Sequence, residues 1–341
     1  MEGAYYNGQY LNRLERLGYS QAEIDNKLES TFEEMFYGPE GVRLCHCAGP
    51  DMMYIEDTGN HDVRTEGMSY AMMFCVQMNR QKEFDCLWRW VVTHMYLTEG
   101  ENAGYFAWSC HTDGSKNSDG PAPDGEEFFA MSLFFAANRW GSGEGVLDYA
   151  SWARRILHAC VHKGEEAGSG FPMWNPENHL IKFVPNCEFT DPSYHLPHFY
   201  ELFALWSDEC DRPFWHAAAA ASRQYLRKAC HARTGLSAEY AEYDGRPHRG
   251  DQPDRHDWFF SDAYRTLGNI ALDAQWFGDK DGWAQETAAH IQQFFEEKEH
   301  GQTNGIYLID GTPVEGNALH PVGLLATIAQ GSLILDDACA D

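Results

Sequence analysis

Two kinds of helical segment alternate along the chain, and this alternation limits the possible folds more than any other feature. One kind is apolar on nearly every side, as in "MSYAMMFCVQM", so a helix formed from it must be buried all round. The other kind has a charged face, as in "DGWAQETAAHIQQFFEEKEH", and must keep that face in water. The predicted buried segments lie near 67–79, 126–140, 193–206, 259–277 and 318–335, and the predicted amphipathic segments near 20–36, 82–97, 147–163, 213–229 and 281–298.

Strict alternation of a buried helix with a half-buried one is expected of two concentric rings, with the inner ring enclosed by the outer. The sequence therefore predicts an all-α fold, an α/α barrel. About five such pairs can be counted, and a sixth is expected near the N-terminus or within the long connections. Since the 341 residues contain no Pro- or Ser-rich linker, we expect a single domain over residues 1–341.

The connections between the predicted helices differ by direction. Those that leave a buried segment are short, whereas those that enter one run to roughly 20–30 residues, well above the usual length. The long connections combine Gly, Pro, aromatic and acidic residues, as in "GENAGYFAWSCHTDGSKNSDGPAPDG". They should all lie on one face of the barrel, where loops held by a rigid scaffold commonly bind ligands.

Charge and composition exclude several classes of protein. A formal net charge of -27 disfavours nucleic acid and anionic membrane surfaces as partners, since both require clustered Lys and Arg. The N-terminal residues lack the pattern of a signal peptide, and no segment reaches the ~20 apolar residues of a membrane span. Together with scattered cysteines that resemble buried thiols, this predicts a soluble cytoplasmic protein.

A metal or other cofactor is not expected from the sequence. The only cysteine pair at short spacing, Cys45-His46-Cys47, lacks the second pair that a zinc site needs. A different class of protein nevertheless stays open. It is either a non-catalytic sugar-binding barrel or a metal-dependent enzyme that uses this tripeptide, His195 and His198 as ligands.

Three carboxylates, Glu66, Asp124 and Asp262, stand at the predicted starts of three buried helices. Each alone could simply complement its helix dipole. Stability gives no reason to repeat the arrangement around one rim, so the three together indicate a functional site. Two carboxyl groups across an aromatic cleft are the minimum machinery for cleaving a glycosidic bond.

Aromatic side chains in or at the ends of the long connections are candidates to stack on sugar rings. They are Trp108, Trp174, Tyr194 and Trp258. For each of them, packing in the core is an equally open interpretation.

Three segments resemble glycoside hydrolase family 8. "APDGEEFFAMSLFFAANRW" is similar to the signature of that family, although Glu126 stands where the family usually has a second Asp. "RTEGMSYAMM" and "FSDAYRTLGNIALD" are similar to the segments that carry its general acid and its general base. The resemblance covers about residues 40–330 and implies an (α/α)6 barrel.

The resemblance also implies roles for individual residues. Glu66 would be the general acid, Asp262 the general base, and Asp124 would hold and distort the sugar. Because family members invert the anomeric centre, the acid and base carboxyls should lie roughly 6.5–9.5 Å apart. Arg64 and Arg265 are candidates to orient the carboxylates or the sugar, with a surface ion pair as the alternative for each.

The family includes cellulases, lichenases, chitosanases, endo-xylanases and enzymes that release xylose from the reducing end of xylo-oligosaccharides. Leu319-His320-Pro321 resembles the bulky insertion with which the last group closes the cleft, and His320 would then bind the anomeric hydroxyl. Alternatively, His320-Pro321 only begins the last helix. The expected substrate is a xylo-oligosaccharide, and the alternative is an endo-acting β-1,4-glycanase such as a xylanase, cellulase or chitosanase. The sequence leaves the oligomeric state open.

Overall fold

Helices form most of the regular structure of the computed structural model, which describes residues 2–165, 168–250 and 255–335. They are α1 Ala4–Asn7, α2 Arg13–Arg16, α3 Gln21–Tyr37, α4 Thr65–Gln77, α5 Gln81–His94, α6 Pro123–Trp140, α7 Tyr149–His162, α8 Pro197–Trp206, α9 Arg212–Ala229, α10 Arg265–Phe277, α11 Trp283–Glu299 and α12 Pro321–Gln330. Short 3-10 helices occur at Pro192–Tyr194 and Ser261–Tyr264, directly before α8 and α10.

The predicted alternation of buried and half-buried helices is confirmed from α4 to α11. The inner helices α4, α6, α8, α10 and α12 contact one another in sequence order, and the outer helices α5, α7, α9 and α11 each pack on the inner helix that precedes them. Met68 and Met72 on α4 are fully buried, as are Leu133 on α6 and Phe203 on α8. Helices α4, α6, α8 and α10 are apolar on most sides because protein surrounds them. The prediction that the segment near 318–335 is buried all round is wrong, since Val322 is 81% exposed and only Leu324 and Ile328 of α12 are buried.

The expectation of a sixth helix pair near the N-terminus or in the long connections is wrong for residues 2–165, 168–250 and 255–335. The N-terminal stretch forms α1 and α2, which have 4 residues each. The long connections contain strands and 3-10 turns instead of long helices. The described residues therefore provide five inner helices.

Three small antiparallel sheets, which the sequence did not predict, organise the long connections. They comprise β1 Cys45–Cys47 with β2 Met53–Ile55, β3 Val63–Arg64 with β4 Ser109–Cys110, and β5 Trp258–Phe259 with β6 Ile306–Leu308 and β7 Pro313–Val314. The strand β3 runs directly into α4, and β5 ends two residues before Ser261–Tyr264. The sheets thus fix the backbone just before two of the predicted catalytic carboxylates.

Gly125 allows the first turns of α4 and α6 to approach each other closely. A Cβ atom at this position would lie 2.4 Å from Cβ of Thr65 and 2.6 Å from its hydroxyl oxygen. Only glycine fits there, since any side chain would push the two helix starts apart. Next to it, the buried Glu126 accepts a hydrogen bond from the backbone N–H of Phe106 at 3.0 Å, which ties the preceding connection to α6.

Two predictions from composition can be compared with the structure. Cys75, Cys86 and Cys160 are unpaired and buried, as predicted. Over residues 2–165, 168–250 and 255–335, no helix has both the length and the apolar character needed to cross a membrane.

Candidate active site

Two of the three predicted carboxylates open inner helices, and the third lies just ahead of one. Glu66 is in the first turn of α4, and Asp124 is in the first turn of α6. Asp262 belongs to the 3-10 turn Ser261–Tyr264, so the prediction that it opens the buried helix itself is wrong by one short turn. Ser261 before it has a left-handed backbone with φ 43, a strained conformation that often occurs at functional sites.

Arg265 joins two of these carboxylates. Its Nη1 donates to Asp124 Oδ2 at 2.8 Å, and its Nη2 lies 3.0 Å from Asp262 Oδ1. Because Arg265 is the first residue of α10, this contact brings the starts of α6 and α10 together. The predicted orienting role of Arg265 agrees with this geometry, whereas a surface ion pair does not, since the Asp124 side chain is only 4% exposed.

Two tyrosines complete the surroundings of the Arg265 guanidinium. Nη1 also donates to the hydroxyl of Tyr70 at 2.9 Å, and the guanidinium carbon lies 5.5 Å from the ring centroid of Tyr194. Tyr194 is nearly buried, so it shapes the floor of the site and offers little free ring face. The sequence did not single out Tyr70, although its position four residues after Glu66 places both side chains on one face of α4.

The environment of Glu66 suits a proton donor. Burial raises the pKa of Glu66 to about 8, and the negative charge of Asp124 adds to this effect, while Arg265 opposes it. The carboxyl is therefore mostly protonated at neutral pH. A general acid must start the reaction in this form.

Asp262 lies in more open surroundings than Asp124. Its side chain is 37% exposed, compared with 4% for Asp124. Burial raises the pKa of Asp124, and the charge on Arg265 counteracts this. An exposed carboxylate that is ion-paired to Arg265 can hold a water molecule, as a general base requires.

Asp191 and Glu239 are two acidic residues near the site that sequence reasoning missed. Burial raises the pKa of Asp191 well above its ordinary value, and the charge of Asp262 raises it further. Burial also raises the pKa of Glu239, although hydrogen bonds from Trp258 and His256 oppose the shift. Asp191 precedes a Pro in a turn, and Glu239 follows no recognisable motif, so neither had a signal in the sequence.

Arg64 and Trp108 form one wall beside Glu66. Arg64 Nε donates to Asp62 Oδ1 at 3.0 Å, and its guanidinium carbon lies 5.2 Å from the centroid of the Trp108 ring. The N–H of Thr65 donates to the carbonyl of Trp108 at 3.0 Å, which holds the Trp108 loop against the start of α4. Arg64 is thus paired with Asp62, and its charge still acts on Glu66.

Trp258 begins β5, four residues before Asp262 in the chain. Its indole Nε1 donates to Glu239 Oε2 at 2.8 Å, and the same carboxylate oxygen is 3.0 Å from His256 Nδ1. The Arg255 guanidinium carbon lies 5.6 Å from the Trp258 ring. These contacts fix the plane of a half-exposed aromatic ring, the arrangement that stacking on a sugar requires.

The Leu319-His320-Pro321 segment is exposed, and Leu319 in particular is 54% exposed. His320 is the N-cap residue of α12, but its side chain makes no capping hydrogen bond. Ala318 anchors the segment, since it is buried and its N–H donates to the carbonyl of Asn304 at 2.7 Å. The imidazole is therefore not needed to start the helix and is available to a ligand.

Other residues considered from the sequence have structural roles. Trp174 is 1% exposed and packs edge-on against Trp215, so its interpretation as a sugar-stacking residue is wrong. His195 is buried and lies within hydrogen-bonding distance of the hydroxyls of Thr190 and Ser222. Burial lowers the pKa of His195 to about 3, as expected of a neutral core histidine.

The Cys45-His46-Cys47 tripeptide forms strand β1, in which Cys45 is buried and Cys47 exposed. His46 Nε2 lies 3.2 Å from Oε2 of Glu56, the only charged partner of His46 among the described residues. Within the described part of the chain, neither this tripeptide nor His195 and His198 belongs to a group that could hold a metal ion. The metal-dependent alternative therefore has no support from these residues.

A helical barrel with a buried, protonated carboxyl and a more exposed carboxyl at one mouth, flanked by aromatic rings, is the arrangement of a glycoside hydrolase. Comparison with known proteins gives the family. The model for "Glycosyl hydrolases family 8" matches residues 19–331, and the chain belongs to that family.

Several relatives are similar over nearly the whole chain. A reducing end xylose-releasing exo-oligoxylanase from Halalkalibacterium halodurans is 55% identical over 97% of this chain and 84% of its own length. The enzyme of the same name from Bifidobacterium adolescentis is 55% identical over 93% of this chain and 81% of its own. The solved structure of Rex8A from Paenibacillus barcinonensis, complexed with xylose, is 54% identical and covers 99% of this chain and 89% of its own, with a TM-score of 0.96. The predicted (α/α)6-barrel class is confirmed by the family and by this match.

Proposed function

We propose that this protein hydrolyses xylo-oligosaccharides with inversion and releases xylose from the reducing end. The observation that carries the proposal is the convergence of Glu66, Asp124 and Asp262 around Arg265. The relatives that bear the name of this activity, at 54–55% identity, support the choice of substrate.

In this mechanism Glu66 and Asp262 have complementary tasks. Glu66 gives its proton to the glycosidic oxygen as the bond from that oxygen to the anomeric carbon breaks. Asp262 takes a proton from a water molecule, whose oxygen bonds to the anomeric carbon from the opposite face. Asp124, held by Arg265, is placed to bind the sugar at the point of cleavage.

The restriction to the reducing end is attributed to Leu319 and His320. Both are exposed on a connection whose neighbour Ala318 is anchored, which supports a role for them as a barrier on the leaving side. The hydroxyl of Tyr264, two residues after Asp262, lies close to the backbone of Leu319, which supports the placement of this barrier beside the site. His320 would donate a hydrogen bond to the free anomeric hydroxyl of the terminal xylose.

The catalytic roles can be tested with Glu66→Gln and Asp262→Asn. Each variant keeps the shape of the side chain and removes its acid–base function, so kcat on xylotriose should fall by at least about 10²–10⁴-fold. Asp281→Asn provides a matched control, because Asp281 pairs with Arg227 on the surface. Near-normal kcat in either catalytic variant would exclude the assigned role.

The reducing-end requirement has its own test, a comparison of xylotriose with the corresponding alditol. Xylotriose should give xylose and xylobiose, and the alditol should resist cleavage because it lacks the anomeric hydroxyl. In a Leu319→Ala/His320→Ser variant the difference between the two should shrink. Rapid cleavage of the alditol by the unmodified protein would instead favour the endo-acting alternative.

We also propose that the enzyme works in a reducing compartment such as the cytoplasm. The buried, unpaired Cys75, Cys86 and Cys160 support this proposal, since secreted proteins more often pair their cysteines. Cell fractionation followed by an activity assay tests it, and activity confined to the culture medium would contradict it.

A further inference from the structure

A cluster of two histidines and a carboxylate lies away from the catalytic carboxylates, on the outer ring. His158 and His162 are four residues apart on α7, and Asp211 directly precedes α9. One possible ligand atom from each of the three residues lies within 4.8 Å of the other two. The glycosidase mechanism uses none of them.

The Asp211 carboxylate is buried, yet its ion-pair partners within the described residues are histidines. It is 2% exposed, and its Oδ1 lies 2.7 Å from His162 Nε2, while its Oδ2 lies 3.7 Å from His158 Nδ1. The thiol of Cys210 also donates to Oδ1 at 3.4 Å. A buried carboxylate needs a positive partner, and here only a protonated imidazole or a bound cation can supply one.

His162 has a carboxylate at each of its two ring nitrogens. Its Nδ1 lies 2.6 Å from Oε1 of Glu165, and its Nε2 faces Asp211. A neutral imidazole carries a single proton. When an ion displaces the proton on Nε2, the remaining Nδ1–H donates to Glu165 and the lone pair on Nε2 can bind the ion, which is the orientation of a metal-binding histidine fixed by an outer carboxylate.

We propose that His158, His162 and Asp211 form a binding site for a divalent transition metal ion such as Zn²⁺, with Glu165 orienting His162. Two imidazole nitrogens and one carboxylate oxygen suit Zn²⁺, Ni²⁺, Co²⁺ and Cu²⁺ better than Mg²⁺ or Ca²⁺, which prefer oxygen ligands. The side chain of His158 is 57% exposed, so the ion can enter from solvent and keep a water ligand.

The bound ion would connect two outer helices. His158 and His162 lie in the second half of α7, and Asp211 is the N-cap residue of α9. Binding replaces the proton between His162 Nε2 and Asp211, so each ion that binds releases about one proton. The consequence is a higher Tm of the whole protein in the presence of the ion, since the ion binds only the folded arrangement.

Calorimetric titration of ZnCl₂ into the full chain, without a histidine tag and after treatment with a chelator, tests the proposal. The protein should bind one ion tightly, with proton release seen as a difference between two buffers. His158→Ala and Asp211→Asn should each weaken binding at least about tenfold. His216→Ala is the matched control, because His216 is an exposed histidine 3.6 Å from a single carboxylate, and it should leave binding unchanged.

A second measurement identifies the ligands. The electron paramagnetic resonance spectrum of the Cu²⁺-loaded protein should show coupling to two imidazole nitrogens, and that of His158→Ala to one. Activity on xylotriose confirms that the variants are folded. Equal Zn²⁺ affinity in the unmodified protein and both variants, or no stoichiometric binding at all, would overturn the proposal and leave His162 and Asp211 as an ion pair.

Discussion

The protonation of Glu66 at neutral pH is a consequence of its surroundings that can be tested by replacing one neighbour. With a pKa of about 8, Glu66 is protonated in about 90% of molecules at pH 7. With the ordinary glutamate pKa of 4.5, only about 0.3% would be protonated. Burial and the charge of Asp124 therefore increase the amount of active acid by about 300-fold.

Asp124→Asn removes the charge that acts on Glu66 and also frees Arg265 from one of its partners. Both changes favour the ionised form of Glu66, so its pKa should fall. In a profile of kcat/KM against pH on xylotriose, the unmodified protein should lose activity as pH rises through about 8. In Asp124→Asn, the residual activity should be lost at a lower pH.

The same reasoning predicts the pH dependence of stability. The pKa of Glu66 is higher in the folded protein than in the unfolded chain, so its contribution is favourable below about 4.5 and is lost as pH rises to about 8. Above that pH a buried, ionised carboxylate destabilises the fold. Glu66→Gln removes this cost and should raise the Tm at pH 9 relative to the unmodified protein. Asp281→Asn controls for the change in net charge. In the profiles of kcat/KM against pH, a loss of activity at the same alkaline pH in Asp124→Asn and in the unmodified protein would refute the reasoning about Glu66.

Three further substitutions test the geometry of the site. Arg265→Lys should lower kcat, because one ammonium cannot bridge both aspartates. Without the guanidinium the pKa of Asp124 should rise further, so the loss of kcat should be greatest at mildly acidic pH, where more Asp124 is then protonated. Gly125→Ala should destabilise the protein by about 1–3 kcal/mol and lower kcat, because its Cβ would meet Thr65, and an unchanged Tm on calorimetry would contradict this. Trp108→Ala should raise KM more than it lowers kcat, as steady-state kinetics on xylotriose can show, and an unaltered KM would remove Trp108 from the binding surface.

The helical framework was predictable because burial leaves a direct mark on composition. A helix enclosed by others has no face for charged residues, so α4 and α6 were visible as apolar runs. The short strands were not predictable, since β3 and β4 have only 2 residues each and too few to show a period. The Asp262 turn was missed for a related reason, because a 3-10 turn that leads into a helix has nearly the same pattern as the helix.

The site was predictable to the extent that its residues follow the helix starts. Glu66 and Asp124 were found in this way. Tyr70 could have been found from its spacing to Glu66, but Asp191 and Glu239 come from connections whose path depends on tertiary contacts. The burial of Trp174 was equally hidden, because aromatic residues in a loop look the same whether they line a cleft or fill the core.

The most direct test of the account is a proton NMR experiment that follows the hydrolysis of xylotriose from its first minutes. Equal amounts of xylose and xylobiose are expected, with the new reducing end of xylobiose appearing first as the α anomer, because water attacks opposite the leaving group. Initial formation of the β anomer would contradict the assignment of Asp262 as a general base, since it would require a nucleophile and a covalent intermediate instead.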